Sequence, residues 1–425
     1  MNDLIPRWKY TEQINASRPE RIKPWHEARF GMFVHLGPYS VVGRHEWLPR
    51  IECWPQDEYE ALTDAYNPAL GAPREWAKLA KRAGMKYMVF TARHGDGFCN
   101  WDTAQTAFNS ARMGPKRDLV AEYVEACRAE GLMVGIYFNL TSNPHPDAGR
   151  APYDGEARHR YNQHNRECLR ELMSNYGAID ILWYDCGKTL KNPEGWEADT
   201  MNQMVRSLQP DILINNRSRL PEDFDTPEGR VTPAAMEHGR LWEACMTFNG
   251  TSWGHMTGAE IDAWRPRDIV KMLATASSQR GNLLLNIGPK ADGSVSPEYV
   301  ESLEGVGRWL ETHGEATYGT LDSFGGFPTY CGQVSRKGNV IYFWRLTWAG
   351  TEQGLGGYET KLNNVTCLTT GESVDFDQDG YRIMLRNLPE QCPEPDTQVV
   401  VYKLEFEEEP VFKWLPTTPA VVANW

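Results

Sequence analysis

Asp185 is the residue of this chain whose placement best suits it for chemistry. It ends the apolar run Ile179-Asp180-Ile181-Leu182-Trp183-Tyr184-Asp185, with Gly177 behind it and Gly187 ahead. Such a run reads as a buried parallel strand. A carboxylate inside the strand would be costly, but at the C-terminal tip it faces the mouth of the sheet, where α/β barrels do their chemistry. Trp183, two residues earlier, points to the same side. A carboxylate that can attack, beside an aromatic plane that can stack on a ring, is what a sugar-processing pocket needs. The plain alternative is a strand-end Asp that caps the next helix. Glycoside hydrolysis takes a second carboxyl group on the other side of the scissile bond. Glu228, Glu237 and Glu243 are the candidates that follow Asp185. Glu228, in the long loop after the fifth strand, has the reach to lie over a bound sugar and is taken first. Glu243, beside Trp242 on a strand, is the alternative acid/base and is otherwise suited to holding a hydroxyl or Arg217.

Other strand ends carry polar groups that would converge on the same mouth. The first strand ends in His35, and the loop beyond it supplies Glu46 and Trp47. The second gives Arg93 and His94, followed by Gly95-Asp96-Gly97; the third gives Tyr137 and Asn139; the fifth gives Asn215, Asn216 and Arg217. Singly, each has a dull explanation: a satisfied structural His, an Arg bridging loops, an Asp96 that tightens its own turn, a Trp101 or Trp253 in the core. Together they mix hydrogen-bonding side chains with aromatic faces and include no phosphate-cradling glycine loop, which suits sugar hydroxyls.

The elements that must position these groups are legible as alternation. Strand-like runs at 30–36, 87–91, 133–139, 179–185, 211–216, 242–248 and 283–287 alternate with amphipathic helical patterns. Pro73 opens one helix and Gly84 ends it; Asp118 caps another that stops at Gly131. Repeated alternation of this kind means parallel strands with right-handed crossovers, closing as a (β/α)8-like, TIM-type barrel. Seven strands are strong, so one element is weak or irregular. After about residue 325 the segments 340–345, 373–376, 381–385 and 397–404 are short, alternating and separated by turns. They read as an antiparallel β-sandwich with no catalytic cluster. The expected division is a catalytic barrel over 1–325 and a C-terminal sandwich over 326–425.

Composition narrows the partners. The 425 residues carry a net charge of −13, which argues against nucleic acid and anionic membranes. No window approaches 18 consecutive apolar residues, and residues 1–13 show no signal pattern. A cytoplasmic location is expected, or a secreted or periplasmic one if a signal preceded this numbering. The nine scattered cysteines contain no CxxC pair and read as reduced thiols. No metal or cofactor is expected, since the first strand lacks the His-x-His of a metal-dependent barrel hydrolase. A homo-oligomer is compatible with the sequence.

At these residues the chain resembles the glycoside hydrolase family 29 α-L-fucosidases, over almost its whole length. The resemblance starts at Trp25-His26-Glu27-Ala28-Arg29-Phe30-Gly31-Met32-Phe33-Val34-His35 and passes through Glu46-Trp47. It continues through Thr91-Ala92-Arg93-His94-Gly95-Asp96-Gly97-Phe98, Gly135-Ile136-Tyr137, Trp183-Tyr184-Asp185 and Asn216-Arg217. It closes on Trp242-Glu243-Ala244-Cys245, Ser252-Trp253-Gly254 and Gly281-Asn282-Leu283-Leu284-Leu285-Asn286-Ile287-Gly288-Pro289. The resemblance implies a retaining exo-α-L-fucosidase acting on a fucosylated oligosaccharide or glycoconjugate. Asp185 would be the nucleophile and Glu228 the acid/base, with sugar contacts from His35, Glu46, Trp47, His94, Tyr137, Trp183 and Arg217. Rival readings are the same machinery on a related sugar such as an α-L-galactoside, and a non-catalytic sugar-binding protein.

The chain departs from the family pattern where His94-Gly95 stands in place of two adjacent histidines, and where Trp253-Gly254-His255 ends in His rather than Tyr. A hydroxyl left without its donor costs about 1–3 kcal/mol. Either the preferred sugar differs from fucose, or His255 compensates from the other side.

Overall fold

The computed structural model describes residues 4–185, 190–232, 240–320 and 329–413. Two compact units make up the chain: Met1–Trp264 with Leu283–Glu304, and Arg265–Asn282 with Gly305–Trp425. The division expected at 325/326 lies outside the described residues.

The first unit is built on seven parallel strands: β1 (Phe30–Val34), β2 (Tyr87–Arg93), β3 (Met133–Asn139), β4 (Ile181–Asp185), β5 (Leu213–Ile214), β6 (Trp242–Met246) and β7 (Gly281–Ile287). Their order is β5-β4-β3-β2-β1-β7-β6. The strands are buried on both faces, as their near-continuous apolar sequences require. Intervening helices follow the sequence signals: Asp118 accepts from the Ala121 N–H at the head of Leu119–Glu130, and Gly131 ends that helix at φ 70°.

The eighth element is irregular. Residues 223–229 bridge the gap between β5 and β6 without forming a ladder, through parallel bridges at Asn215↔Phe224, Asp225↔Trp242 and Glu228↔Cys245. Asn216 N donates to Phe224 O on one side, and Cys245 N to Pro227 O on the other. Pro227 has no N–H to continue a ladder, which accounts for the broken pairing. Glu228 therefore sits in the long segment after β5, as expected, and is tied to β6 by an isolated bridge to Cys245.

Alternate residues point inward: Phe33, Tyr87, Val89, Tyr137, Ile181, Trp183, Phe224, Cys245 and Leu284 form one cluster, to which Ile22, Trp25 and Ala28 of the N-terminal helix Arg7–Ala28 add. Register then sets the mouth. Tyr137 lies beside Trp183, and Asn139 beside Asp185.

In the second unit a four-stranded antiparallel sheet, Leu362–Cys367, Val400–Phe406, Val340–Arg345 and Gly332–Lys337 in spatial order, shares a core with a three-stranded one. Ile341, Phe343 and Val365 of the first meet Leu355, Ile383 and Leu385 of the second, as in a sandwich. The strands Gly332–Lys337, Gln353–Gly356 and Leu362–Cys367 were not anticipated; the first two are polar or glycine-rich and show little apolar alternation. Among the described residues no helix is long and apolar enough to cross a membrane.

Candidate active site

Asp185 is the last residue of β4 and holds its carboxylate at the barrel mouth, with its side chain 20% exposed. The Tyr137 hydroxyl donates to Oδ2 at 2.8 Å, and Arg217 Nη1 donates to Oδ1 at 2.9 Å. Tyr137 is itself oriented by Asn139 Nδ2 at 3.0 Å. Burial pushes the Asp185 pKa up, but the Arg217 charge and the two hydrogen bonds outweigh it and hold the group below the usual carboxylate range.

Arg217 is aimed by a local substitution of side chain for backbone. The Asn215 amide pairs with β4 in place of a ladder, accepting from Tyr184 N at 3.1 Å and donating to Tyr184 O at 2.9 Å. The chain is then free to turn through Asn216–Ser218, which returns the guanidinium toward β4. That turn cuts the fifth strand short of the expected 211–216. Arg217 Nη2 donates to Glu228 Oε2 at 2.7 Å, so one guanidinium spans both acidic candidates. Glu228 is 47% exposed at the rim.

A pocket of about 260 Å³ opens here, lined by Phe33, His35, Trp47, His94, Tyr137, Trp183, Asp185, Arg217, Glu228, Cys245 and Trp253. His35 Nδ1 lies 2.7 Å from Asn286 Oδ1, while Asn286 Nδ2 donates to Trp253 O at 2.7 Å. The amide oxygen is thereby left to accept, so Nδ1 carries the proton. Burial, with His94 adding to it, lowers the His35 pKa well below its ordinary value. His35 is neutral, with Nε2 left as an acceptor.

Gly95 explains itself in packing. A Cβ there would come within 2.8 Å of two ring carbons of Trp47, whose indole meets His94 edge-on at 4.8 Å between centroids. The space above Gly95 is thus filled by an indole that lines the pocket. Gly95→Ala is expected to push that indole aside and lower kcat/KM by about tenfold or more, with overpacking costing about 1–3 kcal/mol of stability. Steady-state kinetics beside a thermal melt checks this; an unchanged kcat/KM would mean that the indole position does not matter to the sugar.

Several expected residues are placed elsewhere. Glu243 is fully buried and does not line the pocket, nor does it hold Arg217. It is the second residue of β6, deep in the barrel, where it accepts from the Tyr87 hydroxyl at 2.5 Å and from Trp183 Nε1 at 2.9 Å. Glu46 is also buried, and its Oε2 accepts from Trp253 N at 3.1 Å and Gly254 N at 2.9 Å, so it orders the 252–254 turn from outside the pocket lining. Trp183 reaches the pocket but is 1% exposed. Tyr137 stacks on it at 5.7 Å and the Arg217 guanidinium lies 4.7 Å over its ring, so the open face expected for stacking on a sugar is absent. His255 faces Glu260 and Thr257 outside the pocket, so it does not compensate for the missing histidine. Asp96 accepts from the Tyr59 hydroxyl at 2.6 Å, a partner outside its own turn, and its carboxyl is also held by the Phe98 backbone within that turn. Glu237 lies outside the described residues.

The environment of Glu243 makes a second prediction. Burial raises its pKa from an ordinary 4.5 to about 7, against the hydrogen bonds from Tyr87 and Trp183 that lower it. The folded chain therefore binds this proton more tightly than the unfolded one. The stability it contributes is complete below about pH 4.5 and is lost as pH rises through about 7, on the order of 3 kcal/mol in all. Glu243→Gln keeps an acceptor for Trp183 and is expected to flatten this dependence. Its Tm relative to the wild type should rise by a few degrees between pH 5 and pH 8; a constant difference would show that another group titrates.

Sequence reasoning passed over three pocket residues: Phe33, Trp253 and Cys245. The period-2 rule carried a signal for Cys245, since β6 presents Glu243 and Cys245 to the same side and only the later one reaches the mouth. It also missed Asn286, whose role depends on the Trp253 carbonyl from a distant turn.

The chain is similar to known proteins along most of its length. Residues 4–315 match the family model described as alpha-L-fucosidase. The mouse tissue alpha-L-fucosidase is 30% identical over 436 residues, covering 92% of each chain. Alpha-L-fucosidase isoenzyme 1 from Paenibacillus thiaminolyticus superposes with a TM-score of 0.85 at 32% identity, covering 92% of this chain and all (100%) of its own. A family 29 alpha-L-fucosidase from Bacteroides thetaiotaomicron, solved as a trapped covalent intermediate with 2-fluoro-fucosyl fluoride, superposes with a TM-score of 0.83 at 26% identity, covering 91% and 96%.

Proposed function

The chain belongs to the α-L-fucosidase family, and from that premise we propose that it is a retaining exo-α-L-fucosidase with Asp185 as nucleophile and Glu228 as acid/base. The observation that carries the assignment is the pair of carboxylates held by one Arg217 fork at the mouth of a 260 Å³ pocket. That volume lies below the roughly 300–1,000 Å³ of drug-sized sites and suits one terminal sugar ring. A retaining pair works at a separation of about 5–5.5 Å, the scale that a single guanidinium can span.

In this mechanism the ionised Asp185 attacks the anomeric carbon, its charge held by Arg217 and its orientation by Tyr137. Glu228 lets go of Arg217 as the sugar binds, takes up a proton from solvent on leaving that ion pair, and passes it to the departing glycosidic oxygen. The same carboxylate then takes a proton from water, which releases the sugar with its configuration kept. His35 and His94 bind hydroxyls, the first as an acceptor through Nε2, while Trp47 and Trp253 offer apolar surface to the ring.

The substrate is a fucosylated oligosaccharide or glycoconjugate. The C-terminal sheets, from about residue 326, are a module apart from this chemistry. A cytoplasmic location remains part of the proposal, supported by eight free cysteines among the described residues. An NMR time course with an aryl α-L-fucoside tests the reading. α-L-Fucose should appear first and mutarotate later; β-L-fucose first, or no release, would overturn it.

A further inference from the structure

A second concavity adjoins the pocket and is larger, about 840 Å³. The loops after β1, β2, β3 and β4 build it, so it opens at the same end of the barrel. The two share a wall: Trp47 and His94 line the pocket, while Arg50 and Asp96, a few residues on, line the groove. Asn143 N donates to Gly95 O at 3.0 Å and ties the third-strand loop to that wall.

The groove has a particular chemistry. Arg50, Arg158 and Lys191 line it, and among the described residues none of them makes an ion pair. They form a local cluster of positive charge in a chain whose net charge is −13. The one carboxylate in the lining, Asp96, is buried and engaged by Tyr59. Two aromatic residues stand among the cations. Tyr153 is 92% exposed, and Trp54 is half-buried with Nε1 donating to Glu52 at 2.8 Å. An exposed tyrosine on a polar groove gives a stacking plane for a sugar ring, and uncompensated cations beside it give sites for an anionic substituent.

We propose that this groove is a subsite for the rest of the glycan and selects sugars that carry a sulfate or carboxylate. Arg50, Arg158 and Lys191 meet the anion, and Tyr153 and Trp54 meet the ring. The inference rests on the fucosidase reading only for what fills the neighbouring pocket.

The test is titration calorimetry on the full chain with lactose, lactose 3′-sulfate and 3′-sialyllactose, beside an Arg50→Ala/Arg158→Ala/Lys191→Ala variant. The anionic forms are expected to bind at least tenfold more tightly than lactose. The variant should lose most of that difference, and added salt should weaken binding to the wild type. Binding of the sulfate alone would make the groove a sulfate site; binding of both would make it a general anionic-glycan site. Equal affinities for all three sugars, no binding, or anion binding untouched by the variant would overturn the proposal. Aryl α-L-fucoside turnover is the control, expected within about twofold of wild type in the variant, because none of the three residues lines the pocket. A wild type that leaves the aryl fucoside intact would remove the fucosidase reading, while the calorimetry would still decide the groove.

Discussion

Asp185→Ala is expected to lose fucoside turnover by on the order of 10⁴-fold or more while the protein stays folded. The loss is large because the replaced group forms the bond, and among the described residues no neighbour can take its place. Glu228 is at the rim, Glu243 is sealed in the barrel, and Glu46 faces the 252–254 turn. The fold should survive, since Asp185 is at a strand tip with its side chain partly open. Removing it leaves Arg217 paired with Glu228. The smaller Asp185→Gly leaves room for a small nucleophile, so azide should restore part of the turnover and give the fucosyl azide of inverted configuration. Turnover of Asp185→Ala at even a tenth of the wild-type rate, measured with a leaving group as good as a nitrophenol, would assign the attack elsewhere. Because Asp185 is held below the usual carboxylate range, the acid limb of kcat/KM in the wild type should lie on the acid side of that range.

The second large effect is expected at Glu228 and should depend on the leaving group. A general acid contributes about 10²–10⁴-fold, and it is needed most where the departing oxygen is basic. Glu228→Ala should lose that much on a fucosylated oligosaccharide, yet far less in the first step with an aryl fucoside whose phenol is acidic. Deglycosylation then becomes limiting, and azide should accelerate it to give a product of retained configuration, opposite to that from Asp185→Gly. The two azide products together assign the two carboxylates without reference to rate. Equal losses on both substrates would count against the acid role, and Arg217 provides the reason to check. Without Glu228 it loses one of the two carboxylates it holds among the described residues, so Arg217→Lys serves as the companion variant. A lysine cannot span both carboxylates, and its kinetics should show how much of the Glu228→Ala effect is lost positioning.

Much of this organisation was legible in the chain. The seven apolar runs, the helix caps at Asp118 and Gly131 and the change of character toward the C-terminus follow from local periodicity and turn chemistry, which act over a few residues. Asp185 was legible for the same reason, as a charge at the end of a strand that tolerates none within it. The eighth barrel element was not, because its pairing depends on Asn215, Leu241 and Cys245, and Pro227 interrupts its pattern.

What the sequence by itself determined, then, is the set of elements, the polar residues at their ends and the family to which their motifs point. What only the tertiary structure decided is depth and direction. Glu243 and Asp185 both lie on inward faces of barrel strands, but one is at the start of its strand and the other at the end, so that one is a buried acid with a pKa near 7 and the other an ionised group at the mouth. Trp183 and Trp47 are both tryptophans beside the site, but Tyr137 and Arg217 cover the first, while the second lies over Gly95. These distinctions depend on strand register and on contacts between residues far apart in sequence. The period of a strand states which side a residue faces, not how far along the barrel it lies or what packs against it.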